Sequence, residues 1–415
     1  MESYEVVIIG GGPAGLFAAS RLNGIRTLLL EKMETPGKKL LISGSGQCNV
    51  THAGTSAELS VHFGTGDHTS FIKPALLAFT SADTISFLEK NGISCETTPE
   101  NKVFPKSRKA DDVLQALLSA AKQCNTKIRT NTRVTAIRQN GKKFHIETNT
   151  TSIEADTVIL SCGGASYPST GSNGDGAKIA EMLGHTIIPL KESLTPVYIS
   201  NFRFKDLTGI SLADTKISII RDNKIIARNT GDLLIARFGL SGPVILDASR
   251  WMREGDTLEI AFGGHRFEEL DTLLISRCGK EGSKAISNLL YGLNIPDRLI
   301  RALLEDAGIP DTIKGSQLTA AMRKNLVRSI TAYQVPIDRL GGFTIAMATA
   351  GGVSLSEINK KTCESKLVPN LYFAGEIMDI DGDTGGYNIQ AAFSTAYLAT
   401  ESIIARHSAQ SATRT

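Results

Sequence analysis

Four consecutive aliphatic residues, Val6-Val7-Ile8-Ile9, run directly into Gly10-Gly11-Gly12-Pro13-Ala14-Gly15. An apolar run with no polar break reads as a strand buried on both faces, which suits a parallel sheet covered by helices. The glycines fit GxGxxG. Gly10 permits the tight turn, Gly12 lets backbone approach a diphosphate, and Gly15 allows close helix–strand packing. Pro13 and Ala14 then open a helix, expected over 13–23 and closed by Gly24. A second strand over 26–31 ends at Glu31, where a carboxylate can accept hydrogen bonds from ribose hydroxyls, with Lys32 beside it. This is a βαβ unit of the length that binds dinucleotides.

The same logic recurs near the other end. Leu371-Tyr372-Phe373-Ala374-Gly375-Glu376 leads through Asp379 to Gly385-Gly386-Tyr387-Asn388-Ile389. One such cradle is common; two bracketing a chain favour a long cofactor, FAD over NAD. Asp379 is placed to meet a ribityl hydroxyl. Asn388 and Ile389 begin a helix whose positive end would face the pyrimidine edge of a flavin.

Between these ends the 415 residues exceed what one core usually serves. We expect a glutathione-reductase-like, Rossmann-type α/β FAD-binding domain with inserted β-barrel-like and helical portions. Its first part covers 1–190. A β-barrel-like insert follows over 191–264, where short β-branched segments turn at Asp222-Asn223 and Glu254-Gly255. A helical insert covers 265–330 and return strands 331–345. The second part of the FAD domain is 346–407, and 408–415 reads as a flexible tail. Helices are expected over 83–91 and 110–124, the latter with Asp111 and Asp112 in its first turn.

Composition narrows the function classes. The six cysteines form no CxxC pair, so neither a zinc site nor a disulfide framework is indicated, and no metal is expected. No stretch approaches the roughly 20 apolar residues of a membrane span, and no targeting segment is evident. A cytoplasmic protein with reduced thiols and no membrane partner is the expectation. A net charge of +3 permits a nucleic-acid partner without arguing for one.

The most particular segment is Pro36-Gly37-Lys38-Lys39-Leu40-Leu41-Ile42-Ser43-Gly44-Ser45-Gly46-Gln47-Cys48-Asn49. Its lysines could neutralise a diphosphate, and its glycines could bring amides against a flat ring. This run resembles the GrKxLxSGgGrCN signature of the HI0933-like, or aminoacetone oxidase, family of FAD-binding proteins. Further matches are Cys162-Gly163-Gly164-Ala165-Ser166-Tyr167-Pro168, Gly239-Leu240-Ser241-Gly242-Pro243 and Thr349-Ala350-Gly351-Gly352-Val353. With the closing segment, they follow the family's order over about residues 4–400. The resemblance implies FAD held by Gly10, Gly12, Pro13, Ala14, Gly15, Glu31, Lys32, Lys38, Lys39, Ser43, Gly44, Gly46, Gly163, Gly375, Asp379, Gly386, Asn388 and Ile389. It also implies adenine contacts from backbone near Val134.

Two positions depart from the family pattern. Gln47 stands where arginine is usual, and Ala236-Arg237 stands where Thr-His is usual. An arginine cannot exchange a proton at neutral pH, which leaves the inherited substrate open and makes Arg237 a candidate catalytic position with altered chemistry. Cys48 has two readings, a thiol acting on substrate beside the flavin or a small apolar filler in a tight loop. Tyr167 and Tyr387 read either as partners of the ring or as aromatic core, and His52 as a site or a surface residue. Lys102, Lys106, Arg108 and Lys109 around Phe104-Pro105, and Arg323, Lys324 and Arg328, read as solvated faces or as nucleic-acid contacts.

One GxGxxG unit, with no second complete one mid-chain, argues against a built-in nicotinamide domain, so reductant, NADH or NADPH, would have to reach the flavin directly or come from a partner. The resemblance implies a flavin-dependent reductase passing hydride to an activated C=C, with family members linked to converting a uridine of large-subunit ribosomal RNA to dihydrouridine. The alternatives are a small-molecule oxidase or dehydrogenase of an amine or steroid-like compound, and an FAD-dependent RNA methyltransferase. The partner is accordingly a small molecule or RNA, and oligomeric state is not encoded legibly.

Overall fold

The computed structural model describes residues 1–412. They form two compact units, one from Met1–Lys191 together with the chain from Phe343 onward, the other Glu192–Gly342.

The first unit is built on a sheet in which Lys127–Arg129, Thr27–Leu30, Glu2–Ile9 and Ser152–Leu160 lie side by side and parallel. The far edge of Ser152–Leu160 is shared. Its first half pairs antiparallel with Lys143–Thr148, which pairs onward with Val134–Asn140, and its last three residues pair parallel with Leu371–Phe373. Strand alternation explains why the apolar run is unbroken. Val6 and Ile8 enter one core with Leu29, Ile159 and Tyr372, while Val7 and Ile9 enter the opposite core with Leu28, Leu30, Val158 and Phe373.

The opening helix is Pro13–Ala19, shorter than expected because Ser20 ends it four residues before Gly24. Its buried face meets the long C-terminal helix Tyr387–Ala412 through Phe17 and Phe393, whose ring centroids are 5.0 Å apart. That helix continues to Ala412, so the tail expected from Ser408 is helical as far as the structure describes it. The helices Ser81–Lys90 and Ala110–Gln123 lie close to their expected spans, with Asp111 and Asp112 in the first turn of the second. Residue patterning did not indicate Asp67–Ala78, which carries Pro74 inside it, or a small antiparallel sheet of Thr51–His52, Lys102–Pro105 and Cys95–Thr97. No single helix among the described residues is long and apolar enough to cross a membrane.

The second unit has its own core. A seven-stranded sheet runs in the order Tyr333–Pro336, Thr257–Ala261, Ser211–Arg221, Lys224–Ala236, Gly239–Ser241, Val197–Tyr198, Arg339–Leu340. The helices Phe267–Glu281, Asp297–Asp306 and Ala320–Thr331 contribute Leu270, Leu303 and Val327 to the same apolar cluster as Ile217 and Ile260 of the sheet.

Candidate functional site

The glycine turn after the first strand behaves as its spacing requires. Gly10 has φ +107°, and a Cβ there would lie 2.5 Å from the carbonyl oxygen of Ser161. A Cβ on Gly15 would fall 1.9 Å from the carbonyl oxygen of Gly10, so helix and turn touch backbone to backbone. Gly12 differs: a Cβ there would meet nothing within 4 Å. The open space beside Gly12, next to the first turn of a helix, is the shape a diphosphate needs.

Glu31 is tied into this turn. One carboxylate oxygen accepts the amide of Gly11 at 2.7 Å, and the other accepts that of Met33 at 2.8 Å. The Glu31 carbonyl accepts the amide of Thr132 at 2.9 Å, which brings the segment leading into Val134 alongside. Lys32 donates to Asn173 at 2.6 Å and Asp175 at 2.9 Å, and Arg133 reaches the same Asp175 oxygen at 2.8 Å. Burial pushes the Asp175 carboxyl up, but the two cations outweigh it and hold its pKa below the usual value. Lys32 therefore acts first on a carboxylate of its own chain.

The lysine–glycine loop opens with a short helix, Lys38–Ile42, anchored where the Gly37 amide meets the Gly11 carbonyl at 2.8 Å. Lys39 donates to Ser166 Oγ at 2.5 Å and Glu376 Oε2 at 2.7 Å, and the other Glu376 oxygen accepts the amide of Thr349 at 2.7 Å. Among the described residues Lys38 has no partner of this kind, and it is half-buried. Beyond it the backbone coils through left-handed conformations at Gly44, Ser45, Gly46 and Cys48. Ser45 and Cys48 occupy a region that residues with a Cβ rarely adopt, so the loop stores strain here. Ser43 holds its base through Oγ to the Leu40 carbonyl at 2.6 Å.

Cys48 has a setting that favours its packing reading over the catalytic one. It is fully buried among Leu40, Val50 and Val103, and burial pushes its thiol up to about 12. Burial of that kind disfavours the thiolate at neutral pH. Cys162 is likewise pushed up to about 12 by burial, with Sγ 3.3 Å from the Ile9 carbonyl.

The closing segment meets the opening one directly. Gly375 has φ +74°, and a Cβ there would lie 3.1 Å from the Ala14 methyl. Gly163, φ +69°, faces the same cluster, its Cβ position 3.7 Å from Glu376 Oε2. Asp379 accepts the Gly351 amide at 3.0 Å with one oxygen, while the other lies 3.3 Å from Nε2 of His68. The hydrogen bond to Asp379 raises the pKa of His68 against the effect of its partial burial. Gly386, φ +98°, folds onto the strand after the glycine loop; a Cβ there would lie 2.6 Å from the Thr51 carbonyl and 2.8 Å from Asn49 Oδ1. Asn388 closes the turn on itself, exchanging two hydrogen bonds of 2.8 and 2.9 Å with the Gly382 backbone. Ile389 lies half-buried in the first turn of the C-terminal helix.

Among the described residues, Asn49 Oδ1 and Ser172 Oγ are buried without a hydrogen-bond partner. Buried polar atoms of this kind are costly unless a ligand or water completes them. With the gap at Gly12 and the free ammonium of Lys38, they fit a dinucleotide carrying a polar ring system.

Of the histidines near the site, sequence reasoning raised His52, as a site or a surface residue, and missed His62 and His68. His52 and His62 both lie against Tyr387, with centroids 4.8 and 4.3 Å away and planes within 21° of parallel. His62 Nδ1 lies 2.8 Å from Asp383, and the rings line a cleft of about 450 Å³ with Glu58 and Asn101. Burial lowers the pKa of His52, with the charges of His62 and Lys102 adding to it. A histidine ahead of Tyr387 in a different segment carries no local sequence signal, so only the fold reveals the group.

At the first departure from the family pattern, Arg108 donates to Gln47 Oε1 at 3.2 Å, its guanidinium 4.1 Å over the Phe104 ring and paired with Glu96. A guanidinium thus reaches the position from the loop between Lys102–Pro105 and Ala110–Gln123. Arg323, from the other basic run, is paired with Asp271 at 2.7 Å. Arg237, the second departure, lies exposed in the second unit, at the turn between Lys224–Ala236 and Gly239–Ser241.

A model of the HI0933-like protein Rossmann domain matches residues 4–402. The ribosomal RNA dihydrouridine synthase of Escherichia coli (strain K12) is 29% identical over 410 residues, covering 98% of this chain and 100% of that one. The 3-dehydro-bile acid delta(4,6)-reductase of Clostridium scindens is 30% identical over 406 residues, covering 95% and 98%. Among solved structures, 3-ketosteroid delta1-dehydrogenase from Sterolibacterium denitrificans aligns with a TM-score of 0.51 at 12% identity, over 98% of this chain and 100% of that one. A mutant E. coli quinol fumarate reductase FrdA gives 0.50 at 13% identity, over 98% and 71%. At such identities the likeness is one of fold.

Proposed function

The chain belongs to the HI0933-like family, and from that premise we propose that it is a reductase that saturates a carbon–carbon double bond conjugated to a carbonyl, with uridine in 23S ribosomal RNA as the substrate. It is an FAD-dependent oxidoreductase. The observation that carries the cofactor reading is the contact of Gly375 with Ala14, which joins two cradles 361 positions apart into one groove. The reaction class is supported by the names of the two relatives, since a dihydrouridine synthase and a delta(4,6)-reductase both remove unsaturation beside a carbonyl.

Bound FAD supplies hydride transfer. The chain's own residues supply the rest. The Gly12 amide region and Lys38 would hold the diphosphate, the remaining lone pairs of Glu31 the adenosine ribose, and backbone near Val134 the adenine. Asp379, held by Gly351 and His68, would accept from a ribityl hydroxyl. Asn49 Oδ1 and the first turn of the C-terminal helix would hold a polar ring edge, and the helix dipole there favours negative charge. Saturating the double bond consumes a hydride and a proton, and NADH or NADPH from solution restores the hydride.

The test is dihydrouridine content of ribosomal RNA, read by mass spectrometry, in cells with and without the gene. Loss of a single dihydrouridine, restored by the wild-type gene, is the expected result. An unchanged count overturns the RNA reading and directs attention to small enones.

A further inference from the structure

The second unit carries an unusual hairpin. Its neighbour in the same sheet turns at Asp222 and Asn223, both left-handed at φ +49° and +59°, which matches the twist of paired strands. The hairpin between Lys224–Ala236 and Gly239–Ser241 also has a two-residue turn, since Ala236 pairs with Gly239. Its turn residues are Arg237 and Phe238, and neither has positive φ. Neither is chosen for making a turn.

The tip is nonetheless rigid. The Phe238 carbonyl accepts the Ile199 amide at 3.0 Å, and a Cβ on Gly239 would fall 2.3 Å from the Val197 carbonyl. The Phe238 ring stacks on Tyr198, centroids 4.4 Å apart and planes 21° from parallel. On the next strand Arg339 faces Tyr198 in register and lays its guanidinium 3.6 Å over that ring. Phe238 is still 38% exposed, and Arg237 and Arg339 are both exposed. Among the described residues neither arginine has an acidic partner, and the carboxylate of the adjoining Asp338 is taken by the Ser200 amide.

We propose that this Phe238–Tyr198–Arg339 stack is a docking platform for an unpaired RNA base, with Arg237 taking the neighbouring phosphate; the proposal rests on the reading of RNA as substrate. A ring held flat by a second ring and a cation loses little entropy when a base covers it, and every base has a face to offer. Two guanidiniums without an ion-pair partner among the described residues, beside an exposed aromatic, favour a polyanion with flat groups over a neutral apolar molecule.

The experiment is fluorescence anisotropy of a labelled oligouridine titrated with the FAD-loaded protein, without reductant. Phe238→Leu should weaken binding about five- to a hundredfold, the range of one base–aromatic stack, while Phe238→Trp retains it. Arg237→Gln should lower the slope of log affinity against log salt by about 0.7, one phosphate contact on a single strand. Equal binding by wild type, Phe238→Leu and Arg339→Gln, all with unchanged melting temperatures, overturns the proposal. Complete displacement by equimolar NADPH also overturns it, by reassigning the stack to a dinucleotide. Because no turnover is measured, failure here leaves the reductase reading standing. Intact binding with no reduction of RNA would remove that reading and leave the platform.

Discussion

Nε2 of His68 lies 3.3 Å from an oxygen of Asp379, and the other Asp379 oxygen accepts the amide of Gly351. The pair couples a histidine on the helix Asp67–Ala78 to the acid that closes the candidate flavin groove. The pKa of His68 is raised above 6.5 in the folded state, chiefly by the Asp379 hydrogen bond. A raised histidine stabilises the fold fully below its unfolded value and loses that contribution as pH rises through the folded one. The difference in melting temperature between wild type and His68→Gln should therefore be largest in mild acid and shrink above neutrality. A difference that grows with pH would reject the pairing.

Gly12 and Gly15 should separate cofactor binding from folding. Gly15→Ala drives a methyl into the Gly10 carbonyl and should cost about 3 kcal/mol or more. Gly12→Ala meets no protein atom, so the apoprotein should stay within about 0.5 kcal/mol of wild type. The same methyl enters the diphosphate space and should weaken FAD retention roughly tenfold or more, the scale of one hydrogen bond to a charged group. Denaturant melts and the ratio of flavin to protein absorbance measure both.

Cys48 should resist alkylation. With its thiol at about 12, the thiolate fraction at pH 8 is on the order of one in ten thousand. Iodoacetamide labelling of native protein, followed by peptide mass spectrometry, should leave Cys48 unmodified until the protein is unfolded. Rapid native labelling would restore the reactive reading.

Lys39 and Glu376 should be strongly coupled. Their side chains are 26% and 17% exposed, so removing the cation strands a largely buried carboxylate. Lys39→Met should cost about 1–3 kcal/mol. Adding Glu376→Gln, which keeps the acceptor for the Thr349 amide, should recover much of that loss. A double-mutant cycle with no interaction term would show the pair to be incidental.

The strand–turn–helix at the start was legible because each step is local: branched residues, then glycines at fixed offsets, then Pro13. Glu31 was legible as an acid at the end of a strand, but not as the acceptor of the Gly11 amide, because that bond depends on how the turn folds back. Lys32 entered only as one of the residues the family resemblance implies; its pairing with Asp175, 143 positions away, follows from no spacing rule. Cys48 invited a catalytic reading from its neighbours in sequence, whereas its burial is set by Leu40, Val50 and Val103, two of them across a loop or on another strand. The grouping of His52, His62 and Tyr387 was invisible for the same reason.

The approach of Gly375 to Ala14 also sets an order of events during synthesis. The strand Leu371–Phe373 completes an edge of the sheet that Ser152–Leu160 has offered since some two hundred residues earlier in the chain. The two walls of the groove are thus separated in the chain by the whole second unit. The edge that Leu371–Phe373 takes on Ser152–Leu160 is made first and filled only after residues 192–342 have been added. A cofactor spanning both walls would therefore be held only once the C-terminal helix has been made.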